Sequence, residues 1–220
     1  MNIMTDKEIY RIWAPLGKKW TEWVRPVPFV EIHEYSKQYI VTPFEMPATD
    51  FSNEIYADAA LIVDLPGAES VEWGIALAKQ GYRPIPLFNG TIEQTGARTT
   101  VDNQSVGVAL IQGAQELLKT DIPEDALPVF LLDSNRLHRH RIDVSVFDNS
   151  WDIYAHDMPS PQFFGNNGIH KIVVISDFIG NDLKKILYGY QKKKMEIYRM
   201  KVYDEPKKIR IHKPFDLDSE

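Results

Sequence analysis

The chain has 220 residues, of which 44% are hydrophobic and 25% charged, with a formal net charge of -6 and no cysteine. That composition is globular, and it excludes wholesale disorder, disulfides, thiolate metal sites and a cysteine nucleophile. The negative balance argues against strong sequence-independent nucleic-acid binding, which depends on phosphate neutralisation by Lys and Arg.

The opening residues, Met1 to Tyr10, carry Asp6, Lys7 and Glu8 and do not read as a secretory signal. No run approaches the roughly 20 apolar residues that span a bilayer. A cytoplasmic protein with no membrane partner is therefore expected. The length suits one α/β domain over residues 1–220: an irregular segment over 1–55, a core over 56–192 and a C-terminal hairpin or tail over 193–220. Homo-oligomerisation is compatible with this reading.

The first 55 residues are rich in Trp and Pro (Trp13, Trp20, Trp23, Pro15, Pro26, Pro28) and poor in period. They predict a short helix and extended segments covering an edge of the core, the commonest use of large aromatics. From residue 59 the pattern changes. Ala59 to Val63 is an apolar run ending at Asp64 and the turn Pro66-Gly67, and Val71, Gly74, Ile75 and Ala78 then lie on one helical face that ends at Gly81. Arg83 to Phe88 reads as a strand that Pro84 and Pro86 place at an edge or make partly irregular, closed by Asn89-Gly90-Thr91.

Residues 91–101 read as a long loop, followed by a helix on Val106, Leu110, Gly113 and Leu117 that runs to about Thr120. Pro128 to Leu132 is a second buried run, ending at Asp133, and Ile142 to Phe147 alternates like a strand. The stretch from Asp148 to Gly168, with Pro159, Pro161, Phe163 and Phe164, reads as an ordered surface loop. A buried strand over His170 to Ser176 precedes Asp177, then a helix from Asn181 to Lys192, then a hairpin of 196–203 with 208–212. Apolar runs alternating with helical periods predict a three-layer α/β fold on a mostly parallel sheet of about five strands, with an irregular N-terminal cover.

Three predicted strands end in aspartate: Asp64, Asp133 and Asp177. Ligands of open α/β sheets bind outside the carboxyl ends of the strands, so three carboxylates are placed where a shared rim would lie. Carboxylates gathered there repel one another and raise pKa values unless a cation or bound hydroxyl relieves them. Asp is also an ordinary strand-ending and capping residue, which leaves a purely structural reading open. Ser70 is placed to cap the helix after Asp64, and Glu72 to occupy its first turn, where the helix dipole favours a carboxylate.

Arg136 suits a phosphate or carboxylate, and Asn135 a polar ligand edge. With Asn89, Asp133 and Asp177 they make up the expected ligand-binding set. His138 and His140 share a strand face but lack an obvious third ligand, so no metal is assigned to them. The lysines over 192–194 with Lys207, Lys208, Arg210 and Lys213 make the C-terminal region basic, which a solvated face explains. No phosphate-loop lysine motif, Gly-x-Gly-x-x-Gly fingerprint or Gly-x-Ser-x-Gly elbow is present.

The segment Asp64, Gly67, Glu72-Trp73-Gly74-Ile75-Ala76 and Gly81-Tyr82-Arg83-Pro84, about residues 59–88, resembles the nucleoside 2-deoxyribosyltransferase family and its Rossmann-like relatives. The resemblance implies a Rossmann-like sheet, Glu72 as the nucleophile attacking the sugar carbon of a nucleoside, and Asp64 as a neighbouring acid or sugar-binding group. It lacks the family's amino-terminal strand and glycine-proline loop before residue 50. The expectation is a nucleotide- or nucleoside-binding protein acting on an N-glycosidic bond, with catalytic Glu72 and Asp64 and no cofactor. Two alternatives stand beside it: a magnesium-dependent phosphate-ester enzyme using Asp64, Asp133 and Asp177, and a non-catalytic protein whose rim binds a small ligand or a partner.

Overall fold

The computed structural model describes the backbone of 30–32 and 90–92, and residues 54–87, 113, 116–117, 119–134, 158–202 and 204–212. In chain order its elements are β1 (Val30–Ile32), β2 (Ala59–Leu65), α1 (Gly67–Ala78), β3 (Arg83–Pro86), β4 (Gly90–Ile92), β5 (Pro128–Asp133), α2 (Pro161–Asn166), β6 (Lys171–Ile175), α3 (Asn181–Lys192), β7 (Glu196–Met200) and β8 (Lys207–Lys208). Six strands form one mostly parallel sheet in the order β3-β5-β2-β6-β7-β8. This is the expected α/β, Rossmann-like architecture, with one strand more than the five anticipated. No helix among the described residues is long and apolar enough to cross a membrane.

Two compact units make up the chain, one of residues 1–46 and 66–132, the other of residues 47–65 and 133–220. In the first, β3 and β5 pair in parallel, with Arg83 opposite Pro128 and Pro86 opposite Leu131. β3 lies at the sheet edge, as its two prolines require, because neither can donate a ladder hydrogen bond. Helix α1 buries Ser70, Trp73, Gly74 and Leu77, one stripe at helical spacing. A Cβ on Gly74 would stand 2.6 Å from Leu131 Cδ1 of β5, so the glycine is what lets the helix lie this close.

A separate parallel pair joins β1 to β4, Val30 opposite Gly90 and Ile32 opposite Ile92. This corrects the reading of Gly90 and Thr91 as a closing turn: the chain re-enters strand geometry there, because a partner from the N-terminal segment supplies ladder bonds that local sequence does not announce. Gly113, Glu116 and Leu117 are helical and the turn at Thr120 closes on Leu117, in keeping with the helix expected to end there. The strand expected over 142–147 lies outside the described residues.

In the second unit β2, β6 and β7 are parallel and in register, Ala59 opposite Lys171 and Lys171 opposite Glu196, and β8 closes antiparallel on β7. The terminal hairpin is thus present, though shorter than expected, and its first strand also extends the parallel sheet. All seven residues of β2 are buried, as a strand covered on both faces demands.

Residues 161–166, expected as loop, form α2 instead. Ser160 caps it by accepting from Phe163 N at 3.2 Å, Pro161 fills the first helical position, and Phe164 is buried. The physical reason is that proline at that position removes a donor which would be orphaned anyway. Phe164 packs edge-on against Tyr190 of α3 at 5.4 Å, and Tyr190 donates to Pro159 O at 2.9 Å.

The helices α1, α2 and α3 end alike. In α1 Tyr82 N donates to Leu77 O and Gly81 N to Ala78 O; in α2 Ile169 N donates to Phe164 O and Gly168 N to Gly165 O; in α3 Met195 N donates to Tyr190 O and Lys194 N to Gln191 O. These are Schellman closures, whose penultimate residue must turn left-handed. It is Gly81 at φ 91° and Gly168 at φ 74° in the first two, and Lys194 at φ 66° in the third. Each closure delivers the chain within a few residues to the next parallel strand.

Candidate functional site

Asp64 was expected at the tip of its strand. It lies inside β2, which runs on to Leu65 and stops before Pro66. Side chains alternate along a strand, so Asp64 shares a face with Ala60 and Ile62, in the driest part of the unit. Only 3% of it is exposed, and its Oδ1 is buried with no hydrogen-bond partner among the described residues. Burial, reinforced by the charge of Asp133, pushes its carboxyl up to about 7.

Asp133, the last residue of β5, is half-buried. The fold therefore brings two of the three rim aspartates into electrostatic contact. Asp177 stands apart in character: it is exposed, just beyond the buried Ser176, and its Oδ1 accepts from Val202 N at 3.5 Å. Ser176 fixes that turn by accepting from Phe178 N and donating to Phe178 O, while Arg199 donates to the carbonyls of Ser176 and Asp177. Among the described residues no three His, Asp or Glu side chains are grouped to hold a metal ion. Of the three rim aspartates, Asp64 and Asp133 are the pair linked through their charges.

Two local expectations on α1 are corrected. The helix begins at Gly67 after Pro66, so Ser70 is a helical residue and not the cap. Its buried hydroxyl donates to Leu132 O at 2.6 Å and ties α1 to β5. Glu72 accordingly sits in the second turn, and the first-turn carboxylate is Glu69. The helix dipole, which acts within one turn, passes to Glu69. Glu72 is half-buried, and its pKa is raised, first by burial and then by the charge of Glu69.

Asn89, Asn135, Arg136, His138 and His140 lie outside the described residues, as do the tryptophans of the N-terminal segment. Ser70, like Glu72, is placed one turn too early by the sequence reading. The signal was available: Ser70, Trp73, Gly74 and Leu77 form an i, i+3, i+4, i+7 stripe, and beginning that stripe at the serine makes it a core-facing residue.

What Asp64 and Asp133 can do chemically follows from their environment. A carboxyl with a pKa near 7 carries its proton about half the time at neutral pH, and so serves as acid or base there. Its Oδ1 is a buried polar atom with no hydrogen-bond partner among the described residues, a circumstance that a ligand hydroxyl or amine would relieve. Comparison with protein-family models, with curated proteins and with solved structures finds no match, so the resemblance over residues 59–88 gains no support from them and the fold alone is assigned.

Proposed function

We propose that this chain binds a small hydroxyl-bearing ligand of the nucleoside class and exchanges a proton with it through Asp64, whose carboxyl is brought near its neutral-pH midpoint by burial and, secondarily, by the charge of Asp133. The observation that carries the reading is Asp64 itself: a strand carboxyl in the core, with a buried oxygen that has no hydrogen-bond partner among the described residues and a pKa of about 7 beside a second carboxylate. Perturbed carboxyls at the carboxyl ends of parallel strands are common at binding and catalytic sites. In an N-glycosidic reaction the protonated Asp64 would supply the proton that a departing base requires. The ionised form would take a proton from water or a sugar hydroxyl. Glu72 as nucleophile comes from the family resemblance, with its raised pKa compatible with a partly desolvated carboxylate.

The test is calorimetric titration of nucleosides, nucleotides and magnesium into the protein, followed by base-release assays across pH 5–9. A nucleoside should bind, and base release should show an inflection near pH 7 that Asp64→Asn abolishes. Glu72→Gln should then retain binding and lose turnover. Binding of magnesium alone would move the assignment to phosphate-ester chemistry, and absence of any binding would leave Asp64 a structural carboxyl.

A further inference from the structure

The net charge of -6 conceals a strong segregation. Residues 184–213 hold eleven lysines and arginines against three acidic residues, a net +8, which leaves -14 for the rest of the chain. The structure gathers this segment on one unit. Lysines 192, 193 and 194 close α3, and all three are exposed. Gln191 then acts as a clamp: its side-chain amide donates to Ile209 O at 2.8 Å and accepts from Ile211 N at 2.8 Å. The clamp brings the extended stretch carrying Lys207 and Arg210, both exposed, back alongside the lysines of the helix end. Ile209 N also donates to Ile197 O, which anchors the same stretch to β7.

Little on this face neutralises the charge. Glu196 pairs with Lys208 at 2.9 Å, and the described residues hold no other ion pair to the segment beyond Lys185 with Asp182. Half-exposed tyrosines interleave the cations: Lys192 Nζ lies 4.6 Å from the centre of the Tyr188 ring and Lys208 Nζ 6.0 Å from that of Tyr198. Lys194 adds a second sign. The closures of α1 and α2 place glycine at the left-handed position, whereas α3 keeps a lysine there at φ 66°. The helix dipole would already be served by Lys192 and Lys193.

We propose that this face, centred on Lys192, Lys193, Lys194, Lys207 and Arg210, is a docking surface for single-stranded nucleic acid. Its phosphates would meet the cations and its bases the tyrosine faces. A lipid surface fits less well, because interfacial binding asks for exposed large apolar anchors. Among the described residues the only exposed one is Phe178, outside this segment. The acidic remainder of the chain limits the contact to the basic face, so binding is local and salt-sensitive. The inference is independent of the Asp64 reading.

The experiment is fluorescence anisotropy of a labelled mixed-sequence single-stranded oligonucleotide, titrated with the protein between 50 and 300 mM salt on the order used to resolve counterion release. Five contacts predict a slope of log affinity against log salt of roughly -3.5. A triple variant, Lys192→Gln, Lys193→Gln and Lys194→Gly, should bind at least about tenfold more weakly and flatten the slope by roughly 2. Lys194→Gly also relieves the left-handed strain, so by itself it should raise the melting temperature while weakening binding, which separates lost contact from lost fold. Absence of binding at low salt, equal binding by the triple variant, or capture by anionic vesicles in place of the oligonucleotide would overturn the assignment.

Discussion

Asp64 couples the stability of the fold to pH through one buried carboxyl. Its pKa is raised from an ordinary 3.8 to about 7. The native state therefore holds this proton more tightly than the unfolded chain does, and protonation favours folding. That contribution is fully present below about pH 4 and is lost as pH rises through about 7, on the order of 4 kcal/mol over the whole window. Asp64→Asn keeps the shape and removes the titration. It should leave the protein more stable than the parent at pH 8, with the difference shrinking toward pH 5, as read by denaturant unfolding at each pH. A variant whose stability tracks the parent at every pH would show that Asp64 does not carry the proton assigned to it.

At the scale of the elements, α1 and β5 depend on a single missing methyl group. Gly74→Ala places its Cβ against Leu131 and should cost roughly 1–3 kcal/mol of stability through overpacking. Adding Leu131→Ala, which removes the obstructing methyls, should cost less than the two single changes summed, a coupling that a double-mutant cycle in thermal unfolding measures. Gln191→Ala acts on the other unit by cutting the clamp on Ile209 and Ile211. The segment 207–212 should then exchange its amide hydrogens faster and be cleaved sooner by trypsin after Arg210, with β6 and β7 unaffected.

Legibility in the sequence followed the range of the forces involved. β2, β5 and β6 were legible as short buried runs, α3 was legible from Asn181 to Lys192, and the edge place of β3 from its prolines, because each is dictated by local covalent or hydrophobic facts. The pairing of β1 with β4 was not legible, since ladder bonds between segments some 60 residues apart leave no local mark. α2 was hidden by the loop-like look of its proline and glycine residues, although Ser160-Pro161 is a helix-starting pair. For the site, the pairing of Asp64 with Asp133 was anticipated as part of a rim. The depth of Asp64 was not, because it turns on whether a strand stops before or after one residue.

The whole molecule has a further property that comes from chain order. The unit built on β2 is discontinuous: residues 47–65 belong to it, the next 67 residues belong to the other unit, and its remainder begins at 133. β2 is therefore made early, while its parallel neighbour β6 begins only at Lys171. Ribosomes add about 5–20 residues per second, so an emerging chain holds the wholly apolar face of β2 without β6 for roughly 5–20 s. During that interval a seven-residue, almost uncharged strand has its β6-facing edge unsatisfied, the kind of segment that joins a foreign strand if one is near. Biosynthesis, more than the finished fold, is where this chain is most exposed to misassembly, and a holdase that releases its client only after residue 175 has emerged would meet that need.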